Sequence, residues 1–314
     1  MQGILPLAQS WGKNNNDSPA GRKPPLLSHL FCSYQITRTT LPKSPVTEEI
    51  TGQLVFLGTG TSHGVPTIGC GCSTCTSPNP KNRRTRCAVA LGLPEGNLLI
   101  DTPPELRIQL LRERIGLIHA LLYTHSHADH LFGLDDVRIF PCYLGHELPV
   151  YCEPTVERGI RRSFDYAFDP EVQSYPAGGL PKLVFRPIGL EPFSILGAQI
   201  TPLRMIHGRY HVLGFRVGKV AYCTDTKIIP HESMEQLQGL DVLILDCLRH
   251  EPHPTHLSIA EALAVVKELA PKRTLLTHIS HHLEHETTNR ELPPGVQLAY
   301  DGLRIPLEAP IESL

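Results

Sequence analysis

Apolar residues along this chain gather into short runs bounded by turn residues, which read as strands, with a few stretches at helical spacing between them. Gln53 to Leu57 is the first strand, and Cys87 to Leu93 and Asn97 to Ile100 are the next two. Between these two, Leu93-Pro94-Glu95-Gly96 puts Pro at the second turn position and Gly at the fourth, so the pair is predicted to form a hairpin. Asp101-Thr102-Pro103-Pro104-Glu105 opens a predicted helix with Leu106, Leu110, Leu111 and Ile115 on one face, and Ile118 to Tyr123 is a buried strand. Further on, Leu131 to Phe140 reads as a helix, Val150 to Cys152 as a short strand, and Glu153 to Phe168 as a helix or lid. Its Phe164, Tyr166 and Phe168 suit a core better than a pocket cover. Leu183 to Phe185, Phe193 to Ile200, Leu213 to Val217, Val220 to Tyr222, Leu240 to Leu245 and Thr274 to Leu276 supply the later strands. Ser258-Ile259-Ala260-Glu261 is a capping box, opening a helix whose apolar face is Ile259, Ala262, Leu263, Val266 and Leu269. Strands alternating with helices predict an α/β fold, sheet covered by helices, in one domain over 51–314.

Residues 1–50 show no such period: they carry Asn14-Asn15-Asn16, scattered Pro and Ser, and basic residues with almost no acid before Glu48. They read as a poorly ordered extension. An Arg-rich amphipathic pattern is missing, so a plain tail or mis-assigned start fits better than an organelle-targeting peptide. A net charge of -2 over 314 residues gives no basic footprint, which argues against a protein that mainly grips nucleic-acid backbone. No apolar run approaches the roughly 20 residues needed to span a bilayer. Nine cysteines, three of them within Cys70-Gly71-Cys72-Ser73-Thr74-Cys75, and no secretory signal favour a reducing, cytoplasmic location and metal binding over disulfides.

The run of apolar residues from Ile118 to Tyr123 leads straight into Thr124-His125-Ser126-His127-Ala128-Asp129-His130. Three imidazoles and a carboxylate this close are tolerable only beside a positive charge. In an extended loop, residues i and i+2 point the same way, so His125 and His127 can grip one ion. Asp129 and His130 can aim at a second point where the chain turns into a helix. Other apolar runs also end at ligand types: Thr201 to Ile206 at His207, Val220 to Thr224 at Asp225, and Thr274 to Thr277 at His278. This supply predicts His125, His127 and His207 on one ion, Asp129, His130 and His278 on another, and Asp225 bridging. Two such ions acidify a bridging water at neutral pH and neutralise an anionic substrate, which suits a phosphodiester. A leaving oxygen also needs a proton, and His256, held just before the capped helix, is the candidate donor, with His250 and His253 as rivals. Asp101 and Asp246 are candidates to orient ligand histidines. Cys70, Cys72 and Cys75 are one ligand short of a closed tetrahedral zinc site. His281, three residues after His278, is the candidate fourth, with His282 or Cys87 competing. Cys32, Cys142, Cys152, Cys223 and Cys247 read as ordinary buried or tail thiols. The loop Gly58-Thr59-Gly60-Thr61-Ser62-His63-Gly64 lacks both the dinucleotide and the P-loop pattern, and reads as a tight turn near the site.

With these residues identified, the chain resembles the metallo-β-lactamase-fold hydrolases, whose hallmark is the H-x-H-x-D-H loop. Within them it resembles the phosphoribosyl 1,2-cyclic phosphate phosphodiesterases. The shared features are Leu57-Gly58-Thr59-Gly60-Thr61-Ser62, Gly69-Cys70-Gly71-Cys72 to Cys75, Asp135-Asp136-Val137-Arg138, His278-Ile279-Ser280-His281 and Ala299-Tyr300-Asp301-Gly302. The resemblance implies an αβ/βα four-layer sandwich, two catalytic divalent ions (manganese or zinc), one structural zinc, and hydrolysis of a small or cyclic phosphodiester. Asp129 and His256 are the residues expected to serve the chemistry. The alternatives are a transfer-RNA 3′-end nuclease, which should add a basic arm that this chain lacks, a thioester or lactam hydrolase, and a non-catalytic zinc-braced biosynthesis protein. The last should have lost a ligand, and none is missing. The expected partner is a small molecule rather than a membrane or nucleic acid. A homodimer is compatible with the sequence, which fixes neither the oligomeric state nor the substrate or metal. Arg138 is equally suited to a phosphate contact and to an ion pair with Asp135 or Asp136.

Overall fold

A computed structural model describes residues 44–174 and 179–307. Fourteen strands form along them: β1 Gln53–Gly58, β2 Ala88–Leu93, β3 Gly96–Ile100, β4 Ala120–Leu122, β5 Leu148–Cys152, β6 Leu183–Pro187, β7 Phe193–Ile195, β8 Ala198–His207, β9 Tyr210–Val217, β10 Val220–Cys223, β11 Val242–Asp246, β12 Arg273–Thr277, β13 Val296–Leu298 and β14 Arg304–Pro306. They build two seven-stranded sheets, in the orders β14-β1-β2-β3-β4-β5-β6 and β13-β12-β11-β10-β9-β8-β7. Each is mixed, with β3 to β6 parallel in the first and β10 to β13 parallel in the second.

The strands read as near-continuous apolar runs because both of their faces are buried. Side chains alternate across a strand, so β1 sends Leu54 and Phe56 into the layer between the sheets, and Val55 and Leu57 into an outer core. In the second sheet Phe215, Tyr222, Ile244 and Leu275 face inward, whereas Ala221, Cys223, Leu243, Leu245 and Leu276 face outward. The outer cores are closed by helices, Leu106–Arg112 and Pro154–Ser163 on the first sheet, His231–Gln236 and Ile259–Leu269 on the second. Four layers, αβ/βα, therefore enclose three apolar seams, each fully buried Leu or Phe contributing about 1.5–3 kcal/mol. Helix Ile259–Leu269 starts at the predicted capping box, with both reciprocal bonds between Ser258 and Glu261 present.

Several boundaries differ from the sequence reading. Packing starts upstream of residue 51: Ile50 is fully buried, and Glu48 donates its N–H to the Arg114 carbonyl. The predicted extension before residue 44, with Cys32, lies outside the described residues. Phe193 to Ile200 is not one strand but two, β7 and β8, reversing at Leu196 and Gly197, both with positive φ. The helix after Pro104 begins only at Leu106 and ends at Arg112, so Leu111 is exposed, while Ile115 is buried from beyond the helix. Leu131 to Phe140 is not a single helix either. A short helix ends at Leu131, a 3-10 segment runs from Leu134 to Ile139, and another helix starts at Phe140. Phe164 packs in the outer core of the first sheet with Phe168 against it, and Tyr166 is partly exposed. Cys152, Cys223 and Cys247 are buried, but Cys142 is exposed. Among the described residues no helix is long and apolar enough to cross a membrane.

Candidate metal centre

Most of the site lies at the ends of parallel strands, as open α/β sheets usually arrange it, and antiparallel β8 supplies the rest. From the first sheet, β3 leads to Asp101, and β4 leads into His125, His127 and the short helix Ala128–Leu131 that carries Asp129 and His130. From the second, β8 ends in His207, β10 leads to Asp225, β11 ends in Asp246 and β12 leads to His278. Asp101, Asp225 and His278 all have left-handed backbone, with φ of 65, 53 and 58°. Each such residue stores about 1–3 kcal/mol of strain, held only where the surroundings over-determine it. That three of them meet here marks the site as built for position rather than stability.

The structure brings donor atoms of His125, His127 and His207 into one group, and those of Asp129, His130, Asp225 and His278 into a second, each within 4.8 Å of one another. These are the two sets the sequence suggested, with Asp225 in the second. Asp225 also lies within that distance of His207 and His256. Ring centroids of His125 and His130 are 4.3 Å apart, and those of His127 and His207 5.2 Å apart.

Four of the ligand rings are anchored through one nitrogen. His125 Nδ1 donates to Thr124 Oγ1 at 2.9 Å, and that hydroxyl donates to Asp101 Oδ2 at 2.7 Å. His130 Nδ1 donates to the same Asp101 oxygen at 2.7 Å, His207 Nδ1 to the Thr255 carbonyl at 2.8 Å, and His278 Nε2 to Thr61 Oγ1 at 3.2 Å. The opposite nitrogens of three rings, His125 Nε2, His130 Nε2 and His278 Nδ1, are buried without a hydrogen-bond partner. Two of them, His130 Nε2 and His278 Nδ1, each approach Asp225 Oδ2 to 3.1 Å. Orphaned buried nitrogens normally cost about 1–3 kcal/mol each. Lone pairs converging on a carboxylate, with the other ring atom fixed behind, are what a divalent cation requires, so the residues fit two ions.

Electrostatics agree. Without ions, the His130 and His278 nitrogens facing Asp225 take up protons instead: burial alone would lower their pKa values, but Asp225, with Asp129 and Asp101 for His130, holds both well above the ordinary range, so protons and metal ions compete for the same positions. Burial would raise Asp225, yet His278 and His130 hold it well below. Burial keeps His125 well below the usual range, hence neutral and free to donate a lone pair. The cluster of three buried carboxylates demands positive charge, which divalent ions supply.

Asp101 binds no candidate ion position itself; it fixes His130 and, through Thr124, His125. Replacing it with Asn swaps one acceptor for a donor facing His130. Affinity for the bound ions should fall about 10- to 100-fold, read by metal titration of Asp101→Asn against the parent protein, with the fold intact by circular dichroism.

His256 sits beside the cluster, its ring 4.6 Å from His207 and 4.5 Å from His278. Its Nδ1 donates to Asp246 Oδ1 at 3.2 Å, and the Leu257 N–H fixes the other carboxylate oxygen. Of the rivals, His250 is exposed and His253 stands one ring further out, 5.3 Å from His256. Arg138 forms an ion pair with Asp135 and donates to the Gly179 carbonyl at 3.0 Å, so its guanidinium is already engaged. The anchoring roles of Thr61, Thr124 and Thr255 are not legible in the sequence, because a single Thr carries no spacing signal.

A second centre lies apart. Sγ of Cys70 and of Cys72 are each 3.4 Å from His281 Nδ1, and Cys75 completes a four-residue group. The His281 ring and the Cys75 N–H bring the Cys72 thiol down to about 6, while burial pushes Cys75 up to about 11. The competitors are engaged elsewhere: His282 with Ser280 Oγ, and Cys87, buried, with the Gly60 carbonyl and Thr277 Oγ1. A Cβ on Gly58 would stand 1.9 Å from the Arg86 carbonyl, so glycine is needed for close packing of backbone.

Comparison with known proteins fits this geometry. A family model described as a beta-lactamase superfamily domain matches residues 96–279. A crystal structure described as a new diphosphatase from the PhnP family is 44% identical, with a TM-score of 0.75 over 81% of this chain and 96% of that one. Zinc-bound PqqB from Methylobacterium extorquens shares the fold at 20% identity and a TM-score of 0.63, over 81% and 99% of the two chains. Among curated proteins, an octanoyltransferase of Porphyromonas gingivalis is 36% identical over 79% of this chain, which spans half of that relative's length. The chain belongs to the beta-lactamase superfamily and, within it, to the PhnP family.

Proposed function

We propose that this protein is a metal-dependent hydrolase of small phosphodiesters, cyclic or diphosphate-containing, that transfers the phosphoryl group to water. The observation that carries it is the convergence of unpaired His130 and His278 nitrogens on Asp225, with His256 a ring away. Supporting it is the 44% identical relative described as a diphosphatase. Two divalent ions, when bound, supply Lewis acidity, neutralising phosphoryl charge and acidifying water. His125, His127 and His207 would hold one, Asp129, His130 and His278 the other, and Asp225 both; their softness and geometry suit manganese or zinc.

His256 acts as the general acid. Asp246 accepts from Nδ1, fixing the tautomer and orientation of the ring, so that Nε2 is the atom left to protonate the leaving oxygen. Asp129, held below the ordinary carboxylate range by His130 against the effect of burial, stays ionised. The Cys70, Cys72, Cys75 and His281 group is a closed Cys₃His set, which selects zinc and leaves no position for substrate. Its role is structural.

The test is hydrolysis of bis(p-nitrophenyl) phosphate and of a ribose 1,2-cyclic phosphate by purified protein with its metals counted. Turnover that a chelator abolishes and manganese or zinc restores is the expected result. Fully metallated protein inert on both diesters would overturn the reading.

A further inference from the structure

Donor atoms of His207, Asp225 and His256 lie within 4.8 Å of one another, a triangle whose corners stand on three separate segments of the chain. Two of its sides are tied through β8. Between His207 and Asp225, the Lys227 and Ile228 N–H groups donate to the Ile206 carbonyl at 2.8 and 3.2 Å, and the Ile206 N–H donates to the Ile228 carbonyl at 2.9 Å. Between His207 and His256, the Thr255 carbonyl accepts from His207 Nδ1 at 2.8 Å. The segment carrying His256 is also fastened to β11, where Asp246 accepts from His256 Nδ1 and from the Leu257 N–H. With these ties alone it could still swing about His207, towards Asp225 or away from it.

The third side, from Asp225 to His256, is bridged by side chains. Lys227, two residues after Asp225, donates its Nζ to Glu261 Oε1 at 2.5 Å. The other oxygen of that carboxylate accepts from the N–H and the hydroxyl of Ser258, two residues after His256, at 2.8 and 2.7 Å. A capping box uses just one of these oxygens, so Glu261 does more here than start helix Ile259–Leu269. An exposed lysine pair contributes little, because its long side chain wanders. The Lys227 side chain is only 20% exposed, and three donors share one carboxylate, which holds the pair to a single geometry.

We propose that Lys227 and Glu261 are positioning residues for the general acid: their ion pair closes the triangle and sets the separation between Asp225, shared by the two ion positions, and His256. This rests on the phosphodiesterase reading and adds to it the residues that hold the acid against the ions.

The experiment compares Lys227→Met, Glu261→Gln, the double variant and Lys227→Arg with the parent protein. Gln keeps the capping box but not the charge that holds Lys227. Misplacing a reacting group by about 1 Å costs about 10²-fold, and loosening one tie of three should cost less. In both single variants kcat on ribose 1,2-cyclic phosphate, relative to bis(p-nitrophenyl) phosphate, whose leaving group needs no proton, should therefore fall about 10-fold with metal content unchanged. The double variant should fall no further, because the pair acts as a unit, and Lys227→Arg should recover most of the loss. An unchanged ratio, an even loss on both diesters or a loss that follows metal content overturns the clasp. Hydrogen exchange of the zinc-loaded proteins tests it without turnover: amides of residues 248–258 should exchange faster in both single variants and regain protection in Lys227→Arg. Unchanged exchange there, or faster exchange confined to helix Ile259–Leu269, overturns the clasp. A parent protein inert on both diesters overturns the phosphodiesterase reading instead, and the exchange then decides the clasp.

Discussion

His256→Ala should lower kcat about 10²- to 10⁴-fold on a diester whose leaving group is a sugar hydroxyl. An alkoxide is too basic to depart without a proton, and His256 stands beside the ligand cluster with its Nδ1 held by the buried carboxylate of Asp246. Nitrophenolate leaves as a stable anion, so the same variant should lose far less on bis(p-nitrophenyl) phosphate. This contrast separates two roles that geometry brings close together, because His256 also falls within ligand range of His207 and Asp225. Were it a ligand, the variant would lose metal and both substrates would suffer alike. Metal content measured beside the two rates decides between them. Asp246→Asn should reproduce the same leaving-group dependence at smaller amplitude, since the amide keeps the bulk beside the ring but can turn a donor rather than an acceptor towards Nδ1.

The parts legible in the sequence were those whose signal is local. H-x-H-x-D-H follows a strand within a few residues, and period 2 within one element decides which atoms can share an ion. His207, Asp225 and His278 were found because each ends an apolar run, and the structure puts all three where such runs end, at the edge of the sandwich. What holds these side chains is less local. Thr124 was named only as the residue before His125, and its bridge between His125 and Asp101 depends on a 23-residue separation along the chain. The left-handed backbone at Asp101, Asp225 and His278 leaves no compositional trace beyond the tolerance of Asp and His for that region. The same blindness produced the misreading at Leu196, a bulky residue with a φ of 49° in the turn between β7 and β8. An apolar residue in a turn looks like the middle of a strand. Leu111 was misplaced for a related reason. The helix stops at Arg112 and Arg114 takes a positive φ, which swings Ile115 into the core from another direction and frees Leu111 from facing it.

Cys72→Ser should remove one zinc per chain and destabilise the whole domain by several kcal/mol. Structural zinc contributes about 10–16 kcal/mol to isolated zinc-finger peptides. This domain has three apolar cores of its own, so only part of that is at stake. With about 2–4 °C per kcal/mol in domains approaching this size, the melting temperature should drop by roughly 10 °C. The loss should also reach the catalytic centre. His281 is three residues from His278, and between them Ile279 is tied to the glycine loop, its N–H donating to the Thr59 carbonyl at 2.9 Å and its carbonyl accepting from Thr61 N–H at 3.1 Å. Thr61 in turn holds His278 Nε2. Freeing the Cys70 to Cys75 turn removes the outer anchor of this ladder, so affinity for the catalytic ions should weaken as a secondary effect, smaller than that of Asp101→Asn. Zinc counted at full stoichiometry in Cys72→Ser, with an unchanged melting temperature, would show that the three thiols and His281 are merely neighbours. A melting temperature that falls while the catalytic ions bind as tightly as before would keep the zinc as a brace for the fold and exclude it as a brace for His278.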